Sequence, residues 1–308
     1  MSRIATIGFF DGVHTGHQFL FGQLRAEADA RGMEPLIITF DVHPRAVLQS
    51  DYMPQLLTTL DERKALLRTY AEVVILPFAD IHALTAAEFM ERIKTQYEVS
   101  VLLMGYDHQF GSDRLRKPQD YRRVGEQCGI EVLTMPEFVS GEWHVSSTEI
   151  RQALENGNIA VANELLGRPY SLTGLVIHGK GIGHTIGFPT ANVQPDDPCQ
   201  IIPKAGVYVG KVRGERLKDA SLQDGASAYR LKDASLQDGT SAYRLKAFVN
   251  IDTKGVIEVH IPAFKGDLYG QPMTIQFMRF LREERQFKNL EALREQIKAD
   301  IDSIRHQA

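Results

Sequence analysis

Cysteine is scarce in this chain: Cys128 and Cys199 are the two present, one in each half, without CxxC or other metal-like spacing. That pattern offers no disulfide framework and fits reduced thiols in a cytoplasmic protein. Long hydrophobic runs are missing as well. No stretch reaches the roughly 18 apolar residues of a membrane span, and the N-terminus lacks the basic-then-apolar order of a signal peptide. Positive charge is not in excess either, since the net charge is −4. No bulk field therefore draws nucleic acid, and any polyanion site must be local. A hydrophobic share of 43% and a charged share of 24% suffice for an ordinary buried core. With 308 residues, two domains are expected rather than one.

The most informative stretch comes first. Ile4-Ala5-Thr6-Ile7 reads as a strand, Gly8-Phe9-Phe10-Asp11-Gly12-Val13-His14-Thr15-Gly16-His17 as a turn, and Gln18 to Arg31 as a helix. A first helical turn offers unpaired N–H groups and a positive dipole end, which suit phosphate. Glycines such as Gly8 and Gly16 let the backbone approach an oxyanion closely. His14 and His17 stand three residues apart, so both can face one bound anion. Surface histidines on an ordinary turn would look similar; the position after a strand, where open α/β sheets bind ligands, favours function.

Residues 1 to about 135 alternate apolar runs with helical patterns. The runs are Ile4–Gly8, Pro35–Phe40, Val73–Leu76, Val99–Met104 and Ile130–Thr134. Thr59-Leu60-Asp61-Glu62 and Thr85-Ala86-Ala87-Glu88 have the capping-box form, and Gly32 stops the first helix. The alternation predicts an α/β, doubly wound parallel sheet. Polar segments follow two further strands, at Thr39–Arg45 and at Met104–Gly111, the latter containing Asp107. Ser146-Ser147-Thr148-Glu149 then opens another helix, with Arg151 one turn on, a combination suited to a triphosphate. A plain helix cap with a solvated arginine accounts for the same residues.

At Arg168-Pro169 the texture changes to short β-like runs: Leu172–His178, Gly206–Val212, Lys246–Ile251, Val256–Ile261 and Met273–Phe277. They predict a small antiparallel barrel, closed by a C-terminal helix carrying Leu290, Leu293, Ile297 and Ile301 on one stripe. The domains are thus expected at 1–168 and 169–308. The loop Gly179-Lys180-Gly181-Ile182-Gly183 precedes Gly187-Phe188-Pro189-Thr190-Ala191-Asn192. Thr190 and Asn192 bring short oxygen-bearing side chains suited to magnesium, which keeps several waters. Arg216–Tyr229 and Arg230–Tyr243 are copies of one polar segment differing only at Ala226 and Thr240. They read as a duplication that lengthens a loop or hairpin between barrel strands.

Together these motifs resemble the bifunctional bacterial riboflavin kinase/FAD synthetase family over almost the whole chain. Gly8 to His17 resembles its nucleotidyltransferase signature, Ser146–Arg151 its second phosphate motif and Leu165–Tyr170 its domain junction. Gly187–Asn192 is similar to its kinase ATP and magnesium motif, and Glu258-Val259-His260 with Gly266–Gly270 to its catalytic and flavin-proximal segments. The stretch Asn250–Gly255 is shorter than the family pattern and lacks its proline and threonine.

The resemblance implies FMN adenylylation in the first domain and riboflavin phosphorylation in the second. It implies His14, His17 and Glu258 as catalytic residues. Gly8, Phe10, Asp11, Gly16, Asp107, Ser147, Thr148 and Arg151 would bind ATP in the first domain. Gly179, Gly183, Gly187 and Pro189 would do so in the second, with Mg2+ at Thr190 and Asn192. ATP is then the co-substrate, and the partners are riboflavin, FMN and FAD rather than nucleic acid or membrane. On strand periodicity alone Glu258 is an outward-facing polar residue. A transferase for another small phosphate, or a chain whose kinase half has decayed, remains compatible with the residues.

Overall fold

A computed structural model describes residues 2–106, 108–136, 138–140, 143–179, 183, 186–217, 230–231, 244–262 and 264–305. Asp107 and most of the repeat lie outside the described residues. Contacts divide the chain into two units, Met1–Glu149 and Ile150–Ala308.

In the first unit the elements run β1 (Arg3–Ile7), α1 (Thr15–Arg31), β2 (Glu34–Phe40), α2 (Pro44–Leu48), α3 (Leu60–Leu67), β3 (Glu72–Leu76), α4 (Ala86–Tyr97), β4 (Val99–Met104), α5 (Pro118–Cys128) and β5 (Glu131–Thr134). A small antiparallel pair, β6 (Val139–Ser140) and β7 (Trp143–His144), follows. The main sheet has the order β3-β2-β1-β4-β5, and every pairing in it is parallel. The chain winds outward from β1 through β2 to β3, then returns to add β4 on the other side of β1. The winding direction therefore reverses between β1 and β4, which opens a crevice at their carboxyl ends.

Both faces of this sheet are covered, so its strands are continuous apolar runs rather than alternating ones. Ala5, Ile7, Leu36, Ile38 and Leu102 point to one core with Phe89 and Ile93 of α4. Ile4, Ile37, Val101 and Leu103 point to the other, with Phe21, Leu24 and Ala28 of α1. Local signals hold where they were expected. Thr59 and Thr85 make complete capping boxes with Glu62 and Glu88. Gly32 ends α1 in the left-handed conformation at φ 64°.

The division between the units falls inside α6 (Ser147–Glu155), earlier than the texture change at Arg168. The next helix, α7 (Ile159–Leu166), packs on the second unit's sheet: Asn163 donates to the Phe277 carbonyl at 2.9 Å and accepts from the Tyr170 amide at 2.7 Å. The strands there are β8 (Tyr170–Ile177), β9 (Ala191–Pro195), β10 (Gly206–Arg213), β11 (Arg230–Leu231), β12 (Arg244–Ile251), β13 (Ile257–His260) and β14 (Pro272–Arg282), followed by α8 (Leu290–Arg305).

The order β10-β14-β8-β9-β13-β12 is antiparallel and closes because β10 also pairs with β12, leaving β11 as an appendage on β12. Closure removes exposed edges and explains why these short strands are stable together. The repeat thus sits in the connection between β10 and β12. Strand β9 was not legible as a strand, because Ala-Asn-Val-Gln-Pro lacks an apolar run. On α8, Leu290 is 53% exposed and stands outside the stripe, which begins at Leu293. No helix among the described residues is long and apolar enough to cross a membrane.

Candidate functional site

The turn after β1 is built by buried, strained backbone. Phe10 and Val13 take positive φ of 55° and 42°, an arrangement that costs non-glycine residues energy and clusters at functional sites. A Cβ on Gly8 would lie 2.7 Å from the Phe10 ring, and one on Gly16 would press on the His14 ring at 3.3 Å. His14 caps α1: its Nδ1 accepts from the His17 amide at 3.3 Å. The neutral ring therefore carries its proton on Nε2. His17 stacks on His14 with ring centroids 3.6 Å apart, and Phe10 meets it edge-on at 5.2 Å.

A third imidazole, His108, joins them from the loop after β4, so all three gather where the winding reverses. Burial, then the fields of His14 and His108, hold the His17 pKa well below the usual imidazole range. Burial brings His108 to about 4. Both rings are thus neutral at physiological pH, each with a buried nitrogen that meets no hydrogen-bond partner, Nδ1 of His17 and Nε2 of His108. Thr134 Oγ1, at the end of β5, is likewise buried and unpartnered, and it lines the same small recess as His108. Such groups are costly unless a ligand or water meets them. Nothing in the pattern around Asp107 singled out its neighbour His108; the adjacency of β1 and β4 would have been the signal.

Two of the residues expected at the phosphates, Asp11 and Phe10, are built into the loop itself. The buried Asp11 carboxylate accepts from the Leu57 and Thr58 amides at 3.0 and 3.2 Å, and the Thr58 hydroxyl also bonds the Gly12 amide. Phe10 is 5% exposed and packs against Phe21 behind the histidines. Beneath them lies Arg63, 1% exposed, donating to the Phe40 carbonyl at 2.6 Å with its guanidinium 4.0 Å from the Phe9 ring. Burial lowers its pKa to about 10, while Asp11 and Asp41 oppose that shift. The start of α6 is tied to the same loop, since Ser147 donates to the Asp11 carbonyl at 3.0 Å. Thr148 is exposed beside it, Arg151 follows on the same helix, and Ser146 caps by accepting from the Glu149 amide at 3.2 Å.

In the second unit, register does the assembly. Glu258 of β13 stands directly opposite Asn192 of β9 and opposite Asn250 of β12. Cross-strand partners share a face with Cβ atoms about 5 Å apart, so the three form a polar row across the barrel. His260 continues that face, opposite Phe248. The short stretch before Glu258 does not disturb it: Asp252 accepts from the amides of Lys254 and Val256, both at 2.8 Å, and closes a tight hairpin. Gly255, at φ +79°, completes that turn.

Glycines clear space for the neighbouring oxygens. A Cβ on Gly179 would collide with the Asn192 side-chain amide, lying 2.7 Å from its Oδ1, and one on Gly183 would press on Thr190 Oγ1 at 3.1 Å. Gly187, at φ +82°, turns the chain into Pro189 and Thr190. Hard oxygen donors without histidine or cysteine fit magnesium held jointly with phosphate.

Two cavities flank Thr190. One, of about 300 Å3, is lined by Glu258, His260, Asn250, Phe248 and residues of α8. The other, of about 410 Å3, is lined by Val176, Val259, Phe264 and Tyr269, with His178 stacked on Tyr269 at 3.7 Å. The outward face carrying Glu258 is thus roofed by α8 and the segment before it, which turns an apparently solvated strand position into a cavity wall. A nearly buried ion pair fastens the roof: Arg282 of β14 donates to Asp300 of α8 at 2.7 and 3.1 Å, and Gln296 also donates to Asp300 at 2.8 Å. Removing one partner of such a pair leaves an uncompensated charge, at a cost of about 3 kcal/mol. Asp300→Ala is therefore expected to lower the stability of the second unit by that amount, read by denaturant unfolding; an unchanged midpoint would mean the pair does not hold α8.

Residues 1–149 match the family model described as FAD synthetase, and residues 166–308 match the one described as riboflavin kinase. The chain is 34% identical to a bifunctional riboflavin kinase/FMN adenylyltransferase of Pseudomonas fluorescens, over 98% of this chain and 92% of that protein. It is 32% identical to the protein of that description from Escherichia coli K12, over 96% and 90%. Among solved structures, one described as a macrolide-efflux protein from Streptococcus pneumoniae superposes with a TM-score of 0.81 at 30% identity, covering 99% of this chain and 94% of that one.

Proposed function

The chain belongs to the family of bifunctional riboflavin kinase/FMN adenylyltransferases, and from that premise we propose how its residues divide the work. The enzyme phosphorylates riboflavin with ATP to give FMN, then adenylylates FMN with a second ATP to give FAD and pyrophosphate.

In the first unit, an FMN phosphate oxygen attacks the α-phosphorus of ATP and the bond to pyrophosphate breaks. Neither atom belongs to the protein, so its contribution is position and charge. His14 presents its Nε2–H and His17 its unspent nitrogen to the polyphosphate, where negative charge grows on the leaving pyrophosphate. Gly8 and Gly16 allow the close approach, while Phe10 and Asp11 hold the turn in its strained form. Ser147 and Thr148 bind the β- and γ-phosphates at the start of α6, where the resemblance also implies Arg151. Asp107 remains a candidate for a ligand or metal contact.

In the second unit, the riboflavin 5′-hydroxyl oxygen attacks the γ-phosphorus, the bond to ADP breaks, and Glu258 accepts the hydroxyl proton. The smaller cavity, with Glu258 on its wall, takes riboflavin; the larger, with its aromatic rim, takes the adenosine of ATP. The cavities share Thr190, so the transferred phosphoryl group lies there, under Gly179, Gly183, Gly187 and Pro189. Thr190 and Asn192 would hold magnesium, which would supply neutralisation of the negative charge on the ATP phosphates. The observation that carries the two-step reading is the Asn250–Glu258–Asn192 row: the shortened hairpin leaves the catalytic glutamate opposite the proposed metal ligand. A cytoplasmic location belongs to the same reading.

Incubating the purified protein with riboflavin, ATP and magnesium is expected to yield FMN first and FAD second, followed by chromatography of the flavins. FAD from supplied FMN alone would mean an inactive kinase half. No flavin product at all would overturn the reading.

A further inference from the structure

His260 is placed oddly for a bystander. It lies on the same face of β13 as Glu258, two residues on, and lines the same cavity. Its Nδ1 sits 2.9 Å from the Pro189 carbonyl, in the segment that delivers Thr190. Phe188 packs edge-on against the ring at 5.5 Å. A carbonyl oxygen can only accept, so Nδ1 must carry the proton and donate. The imidazole thereby bridges two pieces of the site that the sheet alone does not join at this point. The β9–β13 ladder stops at the Val259–Ala191 pair, leaving Pro189 and Thr190 beyond the last paired residue. Among the described residues, no ladder pairing joins Pro189 or Thr190 to the Glu258 strand, so the His260 bond is what ties that segment to it there.

We propose that His260 is a positioning residue for phosphoryl transfer, fixing the Pro189–Thr190 segment at a set distance from Glu258 through its Nδ1–H. The inference rests on the kinase reading above. It assigns His260 a share of the chemical step rather than of riboflavin binding, because what it controls is alignment of the phosphoryl group with the attacking hydroxyl. Misplacement of reacting groups by about 1 Å costs on the order of 100-fold.

The test separates the two ring nitrogens. In His260→Asn the side-chain amide nitrogen occupies nearly the place of Nδ1 and can still donate to Pro189. In His260→Gln the amide reaches the place of Nε2 instead, and in His260→Ala neither donor is left. His260→Ala and His260→Gln are expected to lower kcat for FMN formation by about 100-fold while KM for riboflavin moves less than about threefold. His260→Asn should recover kcat to within about fivefold of the parent, a rescue that a merely space-filling role would not give. All three should make FAD from supplied FMN at the parent rate, and a parent-like denaturant midpoint of the second unit shows that they fold. An alanine variant with parent kcat, or an asparagine variant as impaired as alanine, would overturn the proposal. Nitrogen-15 spectra of the parent, labelled at histidine and assigned by His260→Asn, give a readout independent of turnover. The Nδ1–H tautomer is expected for His260, and an Nε2–H tautomer would overturn the bridge even in a protein that makes no FMN.

Discussion

In the His17→Ala protein, FAD formation from FMN and ATP is expected to fall by two to three orders of magnitude while riboflavin is still phosphorylated at the parent rate. The first number follows from losing one donor at a transition-state oxyanion, typically about 3–4 kcal/mol. The geometry explains why the loss should not be smaller. His17 lies 3.6 Å from His14 in a stack, with Phe10 against its edge, so its ring is held in one place. It is also held neutral by burial and by two other imidazoles. The second half of the expectation follows from the division of the molecule: His17 belongs to one unit and Glu258 to the other. Measuring both products in one incubation gives the answer. Unchanged FAD synthesis would remove His17 from the mechanism, whereas loss of both activities would point to misfolding.

Glu258→Gln gives the mirror image: FMN formation drops by about 100- to 10,000-fold, the range that a positioned general base contributes. The amide keeps the shape of the carboxylate and its place opposite Asn192 but cannot take the proton. KM for riboflavin should change little, and FAD from supplied FMN should not change at all. Initial rates of FMN appearance under saturating ATP and riboflavin decide it. A glutamine variant at the parent rate would exclude Glu258 as the base and transfer attention to its neighbours in the cavity.

The two sites were legible in the sequence to different depths. The first was almost entirely local: strand, turn and helix are consecutive, so His14, His17 and Gly16 could be proposed from spacing, and the cap that His14 makes is a three-residue contact. One-dimensional reading could not see that Leu57 and Thr58 come back to donate to the Asp11 carboxylate, which ties that residue into the turn. His108 was missed for the same reason, since it depends on β4 lying beside β1. In the second unit Glu258 looked like an outward strand residue, and periodicity was correct about the face. What periodicity could not supply was the roof of that face, more than 30 residues downstream in α8.

The sequence by itself determined the parallel sheet and the barrel, because burial of apolar runs, capping boxes and glycine stops act within a few residues. It also determined which residue types could handle phosphate. Tertiary structure alone decided which of them meet. The reversal of winding between β1 and β4 gathers three histidines, and strand register sets Asn250, Glu258 and Asn192 in one row. Those outcomes depend on pairings between segments far apart in the chain, and a one-residue slip of any strand would turn its polar residues to the opposite face.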